Sequence, residues 1–117
     1  MQLNQKLLGD NHPIVAISLS SLAELYTLQR RYGEAEPLYQ QALQMRQKLL
    51  GDEHPAVATS LHNLAFLYKS QRRFQEAESL LLKALAICDR LLGPQHPDTI
   101  STRKSLENLK AAMNRKS

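Results

Sequence analysis

The chain has 117 residues, 43% hydrophobic and 22% charged, and its 15 Lys and Arg outweigh 11 Asp and Glu for a net charge of +4. That length makes one domain at most, and no apolar run approaches the roughly 20 residues a membrane span requires. A lone cysteine excludes an internal disulfide, so a reducing, cytoplasmic compartment is expected and Cys88 reads as a small core residue rather than a nucleophile.

Residues 1–8 read as a remnant helix. "QLNQKLLGD" at Gln2–Asp10 copies "QMRQKLLGD" at Gln44–Asp52 in seven of nine positions, which sets the chain's start inside the tail of an earlier unit. It lacks the apolar core of a secretory signal. The stretch that follows, "LLGDNHP" at Leu7–Pro13, returns as "LLGDEHP" at Leu49–Pro55 and as "LLGPQHP" at Leu91–Pro97, each copy 42 residues after the last. Its chemistry stops one helix and starts another. Gly51 is expected to take the left-handed conformation that ends a helix, and Pro55, with its fixed φ and missing N–H, suits the first position of the next. His54 or a neighbour then caps that helix.

Between these seams the apolar period is helical. Val15, Leu19, Leu22 and Tyr26 draw one stripe along a helix at about 13–29. After a break at Arg30–Gly33, Ala35, Leu38, Tyr39, Ala42 and Leu43 draw another at about 33–50, with Pro37 expected in its first turn, where a missing N–H costs nothing. The next unit repeats the plan at 55–71 and 75–92: set without a gap against Leu49–Arg90, Leu7–Lys48 matches at 23 of 42 positions. A last helix is predicted at 97–114. No period-two alternation marks a strand, so the fold class is all-α.

A single helix pair cannot cover its own apolar face, so pairs stack into a short α-solenoid. Small residues mark the close approaches: Ala23, Ala35 and Ala42, then Ala65, Ala77 and Ala84. The chain divides as one domain, 1–117, with repeats at 12–51 and 54–93 and a capping helix at 96–117. In that cap Arg103, Glu107 and Lys110 replace Leu19, Ala23 and Tyr26, the residues that face a partner helix, so the array is expected to end there.

Leu19-x2-Leu22-Ala23-x2-Tyr26 followed by Ala35-x3-Tyr39-x2-Ala42 resembles the tetratricopeptide repeat pattern, as does Leu61-x2-Leu64-Ala65-x2-Tyr68 with Ala77-x3-Leu81-x2-Ala84. The 42-residue period and the phrases "LHNLAFLY", "RYGEAEPLYQQAL" and "LGDEHPAVA" resemble the repeats of kinesin light chains and of related bacterial, notably cyanobacterial, proteins. The resemblance implies a right-handed solenoid whose concave face is lined by the first helix of each pair. Arg30 and Arg72 stand where the family usually has Gly, which implies a slightly strained turn inside each pair.

Chemistry of other kinds finds little support. His12, His54 and His96 recur once per unit, but equivalent atoms of adjacent pairs should lie about 16–20 Å apart, two interaxial spacings. One zinc needs nitrogens at about 2.0–2.1 Å, so these histidines read as caps and no metal or cofactor is expected. Glu34, Glu36, Glu76 and Glu78 fall in first helical turns, where the helix dipole favours negative charge. Arg30-Arg31 and Arg72-Arg73 read as solvated turn charges. No phosphate-binding glycine loop and no nucleophile–histidine set is present, so the chain is not expected to be an enzyme. Residues 98–117 hold five basic and two acidic side chains, but no aromatics interleave with them to stack bases, so nucleic acid is not the expected partner.

Protein or peptide binding remains. The resemblance places Ser20, Ser21 and Glu24 on the concave face of the first unit, with Ile17 and Thr27 beside them. The second unit offers His62, Asn63 and Phe66, with Thr59 and Lys69, and the third Lys104 and Asn108, with Ser105. Asn63 matches the family's backbone-clamping amide, whereas Ser21 and Ser105 replace its counterparts. His62 and Lys104 suit an acidic ligand. The expected function is a groove that recruits a peptide or partner segment, as the kinesin light chain resemblance implies for cargo. Two alternatives stay open: a structural segment that self-associates through its N-terminal edge, and a regulatory repeat region of a larger multidomain signalling protein.

Overall fold

The computed structural model describes residues 13–116, so the remnant helix at 1–8 and the seam histidine His12 lie outside the described residues. Five helices follow in order: α1 Pro13–Leu28, α2 Tyr32–Leu50, α3 Pro55–Ser70, α4 Phe74–Leu92 and α5 Pro97–Lys116. No strand occurs among the described residues, and each helix lies within two residues of its expected bounds. None of these helices is long and apolar enough to cross a membrane.

Each helix packs on the one before and the one after it in sequence, and α1 also touches α3. The result is an all-α solenoid measuring 48 × 33 × 18 Å. Its 18 Å short axis is about two helix diameters, so first helices form one layer and second helices the other. The apolar stripes fill the space between. Val15, Ala16 and Leu19 meet Ala42 and Met45 inside the first pair. Val57, Ala58 and Leu61 meet Ala84, Ile87 and Cys88 inside the second. A larger cluster joins the units, drawing Ala23, Ala35 and Tyr39 together with Leu64, Leu67, Tyr68, Leu81, Leu106 and Leu109. The six alanines expected at close approaches are all fully buried. Cys88 lies in this interior, where burial pushes its thiol pKa up, as befits an unreactive core residue.

The turns follow their chemistry closely. Inside each pair, Arg31 N–H bonds the Tyr26 carbonyl at 2.8 Å and Arg73 N–H bonds that of Tyr68 at 2.8 Å, the closure of a Schellman turn. That closure requires a left-handed residue in the middle. Arg30 and Arg72 supply it at φ +64° and +63°, so the strain implied by the absence of Gly is present. At the seams His54 Nδ1 accepts from Ala56 N–H at 3.0 Å and His96 Nδ1 accepts from Asp98 N–H at 3.1 Å, so the histidines cap. Their Nδ1 acceptor role places the ring proton on Nε2 in each case.

Three local expectations are corrected. Gly51 has φ +86° and ψ 163°, and Gly93 has φ +91° and ψ 156°, which is not the left-handed helical well but the extended positive-φ region open essentially to glycine alone. Pro37 is the sixth residue of α2 rather than a first-turn residue, because the helix starts at Tyr32. Its missing N–H therefore leaves the Gly33 carbonyl without that helical bond, at an exposed position that water can reach. Arg73 is not a freely solvated turn charge, for a reason that belongs to the seam between the units. Its guanidinium lies 4.1 Å over the Tyr68 ring and pairs with Glu76 through Nε and Nη2 at 2.8 and 2.7 Å. It also reaches Glu36 of the preceding unit through Nη1 at 3.1 Å. Glu36 in turn accepts from the Tyr68 hydroxyl at 3.1 Å and from Gln40 at 3.2 Å. Glu36 thus spans a seam, a role its place near a helix start did not reveal.

Candidate functional site

The first helices expose one side to solvent because their other side is spent on the stripe that packs on α2 and α4. On α3, Leu61, Leu64, Ala65 and Tyr68 turn inward, and the residues between them, His62, Asn63 and Phe66, turn outward at helical spacing. On α5, Leu106 and Leu109 turn inward and Lys104, Ser105 and Asn108 outward. Where the outward faces of α3 and α5 converge, a cleft of about 90 Å³ opens. Its walls are His62, Phe66, Lys69, Ser105 and Asn108, and its floor is Ala65 and Leu81.

Phe66 is 43% exposed, a large ring kept in water at the rim. His62 Nε2 and Ser105 Oγ lie 2.9 Å apart, a hydrogen bond that ties α3 to α5 between two wall residues of the cleft. Burial lowers the His62 pKa below its ordinary 6.5, so the neutral imidazole is favoured there. His62 also lines a second cleft, of about 170 Å³, with Thr59, Cys88, Asp98 and Thr102. His62 is therefore shared by the two depressions, and Ser105 belongs to the first alone.

The predicted groove residues divide. His62, Phe66 and Asn108 meet in the first cleft, with Lys69 and Ser105. Asn63 is half-buried outside that cleft, and its amide makes no side-chain hydrogen bond among the described residues. Lys104 is exposed beyond the cleft wall, and Ser21 and Glu24 are exposed on α1. Ser20 is half-buried with its Oγ closed off from water and without a hydrogen-bond partner among the described residues. Thr27, expected beside them, is buried and donates to the Ala23 carbonyl at 2.8 Å, so it belongs to the core. The floor residues Ala65 and Leu81 escaped the sequence reading because both fall on apolar stripes. Their signal was core burial, and only the splay of α3 from α5 uncovers their edges.

Among the described residues no group of three or more His, Cys, Asp and Glu side chains gathers where a metal ion would bind. The cations near the first cleft are Lys69 on its wall and Lys104 on the adjoining surface of α5. The face can offer hydrogen bonds, one exposed ring and positive charge to a ligand lying along it.

The family described as "Tetratricopeptide repeat" matches residues 1–48, 19–88 and 60–117, overlapping stretches that cover the whole chain. Two solved structures are similar over most of the chain. BtubC (BKLC) from P. vanneervenii aligns at 31% identity and a TM-score of 0.78 over 87% of this chain and 41% of its own. A Podosopora anserina protein of nearly identical TPR-like repeats, assigned as a kinesin light chain, aligns at 31% identity and a TM-score of 0.79, over 89% of this chain and 49% of its own. The chain thus spans less than half the length of either structure. No curated protein matches it.

Proposed function

Because the chain belongs to the tetratricopeptide repeat family, we propose that its α3–α5 face holds an extended segment of a partner protein and that the chain acts as a binding module rather than an enzyme. Repeats of this family generally mediate protein–protein interaction. The observation that carries the reading is the cleft itself: two helices of different units contribute polar walls to one apolar floor. A ligand side chain would sit on Ala65 and Leu81 against Phe66. Its neighbouring main chain would run past Asn63, whose amide can donate to a carbonyl and accept from an N–H. Ser20, Ser21 and Glu24 would extend the track along α1.

The ligand is expected to be acidic because Lys69 and Lys104 flank the track, whereas burial lowers the His62 pKa and so weakens the cationic part that the sequence suggested for it. Surface charge of this kind speeds encounter and sets preference more than it adds affinity. The test is a peptide-array screen with acidic and charge-reversed peptides, repeated with Asn63→Ala, Phe66→Ala and Lys104→Ala. Binders lost with Asn63→Ala or Phe66→Ala, and weakened in a salt-dependent way with Lys104→Ala, support the reading. Binding that all three variants leave untouched overturns it.

A further inference from the structure

The two clefts between α3 and α5 are one construction repeated along the same pair of helices. Pro55, Ala58, Thr59 and His62 line the second cleft from α3, and the residues seven places on, His62, Ala65, Phe66 and Lys69, line the first. On α5 the same step takes Asp98 and Ser101 to Ser105 and Asn108. Seven residues advance a helix by about 10.5 Å and fall short of two full turns by only about 20°. The clefts therefore open side by side along one face, with His62 common to both.

What changes over that step is the chemistry. Lys69 and Phe66 give the first cleft a cation and a ring. In the second their places fall to His62 and Thr59, and Asp98 stands where the first has Ser105. Two hydroxyls of the second cleft have their protons already committed. Thr59 Oγ1 donates to the Pro55 carbonyl at 3.2 Å, and Thr102 Oγ1 donates to the Asp98 carbonyl at 2.9 Å. Towards a ligand each offers only lone pairs. The Asp98 carboxylate adds negative charge and has no Lys or Arg partner among the described residues. The nearest ring nitrogen, His96 Nδ1, lies 4.0 Å from it and carries no proton, since it accepts the Asp98 N–H. A cleft of acceptors with one negative charge suits a cation with several donors and no acceptor, which describes an ammonium group. Pro55, Ala58 and Cys88 give its aliphatic stem an apolar lining.

We propose that the second cleft is a lysine pocket, and that the partner segment carries this lysine three residues from the side chain held in the first cleft. The inference rests on the groove reading above and adds to it the charge and position of a second anchor. The spacing follows from the step of about 10.5 Å between the clefts. A β-like chain turns every second side chain to one side, at about 6.6 or 13 Å, and misses the step both times. A polyproline II segment returns every third side chain to the same side after about 9.3 Å, close to the step. The ligand is therefore dipolar: its acidic part lies by Lys69 and Lys104, and its lysine lies by Asp98.

The test uses the full chain and fluorescent peptides that carry a leucine with an adjoining glutamate for the first cleft. Each also has one lysine two, three, four or seven residues from the leucine, on either side. Anisotropy should find the three-residue spacing tightest on one of the two sides, by about fivefold over two and four. Exchanging that lysine for glutamate should weaken binding about tenfold, and Asp98→Lys in the chain should reverse the preference. Asp98→Asn should erase the spacing preference, whereas Phe66→Ala should weaken every peptide alike. Methyl NMR of the parent chain reads the clefts separately: the Ala58 signal should move only with lysine at the favoured spacing, and the Ala65 signal with every peptide. If the Asp98 variants unfold, the peptide charge exchange and the Ala58 methyl decide alone. Binding that depends on Phe66 but ignores the lysine, with Ala58 unmoved, overturns the lysine pocket and leaves the groove reading standing. Binding to none of the peptides overturns both. A preference for the seven-residue spacing overturns the inference in favour of a helical ligand.

Discussion

Leu25 and Leu67, at the same place in successive repeats, offer a direct measure of how the units support one another. Leu67→Ala removes three carbons from a site with no exposure and leaves a cavity in the apolar cluster that joins the units. Such losses cost about 3 kcal/mol, the transfer of the methylenes plus the void. Leu25→Ala removes the same atoms from a half-exposed site. Only about half of their ~0.8 kcal/mol per carbon is at stake, no cavity forms, and alanine is the better helix former, so the loss should stay near 1 kcal/mol or below. Urea unfolding followed by circular dichroism reads both. With a slope of about 1.5 kcal/mol per molar, the midpoint falls by ~2 M for Leu67→Ala and by under ~0.7 M for Leu25→Ala. Equal losses would refute the reasoning, because they would mean that α1 is covered as fully as α3. A loss under about 1 kcal/mol for Leu67→Ala would show that the units do not lean on each other through α3.

Four further outcomes follow from single positions. Arg72→Gly relieves a left-handed arginine at φ +63° and should raise stability by about 0.5–1 kcal/mol despite the added chain entropy, read as a higher Tm; a fall would mean that the side chain earns its place at the turn. Gly51→Ala should cost about 1–3 kcal/mol, because its φ and ψ admit essentially glycine alone although open space surrounds the position, and a neutral result would refute that backbone geometry. Thr99 stands where the earlier units have Val15 and Val57, and its buried hydroxyl has no partner among the described residues, so Thr99→Val should stabilise by about 1 kcal/mol in the same urea assay. The fourth concerns pH. Burial lowers the His62 pKa, so below about 6.5 the unfolded chain binds a proton that the folded chain refuses, and stability falls as the pH drops from there toward the folded value. Unfolding midpoints at pH 7.5, 6.5 and 5.5 should decline less steeply for His62→Gln than for the parent, and identical slopes would sink the assignment.

Much of the fold was legible because it rests on short-range chemistry repeated at a fixed interval. The glycine, histidine and proline of "LLGDEHP" each act within a few residues, and helix starts, stops and caps follow from them. The alanines were legible for a related reason: a repeat that keeps a small residue on its apolar stripe twice over marks where backbones approach. The cleft was only half legible. The outward positions of α3 and α5 follow from helical spacing, which brought out His62, Phe66 and Asn108. Thr27 followed the same spacing and failed, since its hydroxyl returns to its own helix and its methyl joins the interior.

The sequence by itself determined the helix pairs, their seams and their 42-residue succession, because those depend on backbone conformation and on an apolar period read along one chain. Only the tertiary structure decided what the seams join. Glu36, Tyr68 and Arg73 lie up to 37 residues apart and meet because α2 packs on α3, and no local signal distinguishes Glu36 from the equally placed Glu78. The same holds for Leu25 and Leu67, identical residues at identical places in the repeat. Burial is a property of what lies across the gap, and one helix has a neighbour there where the other has none among the described residues.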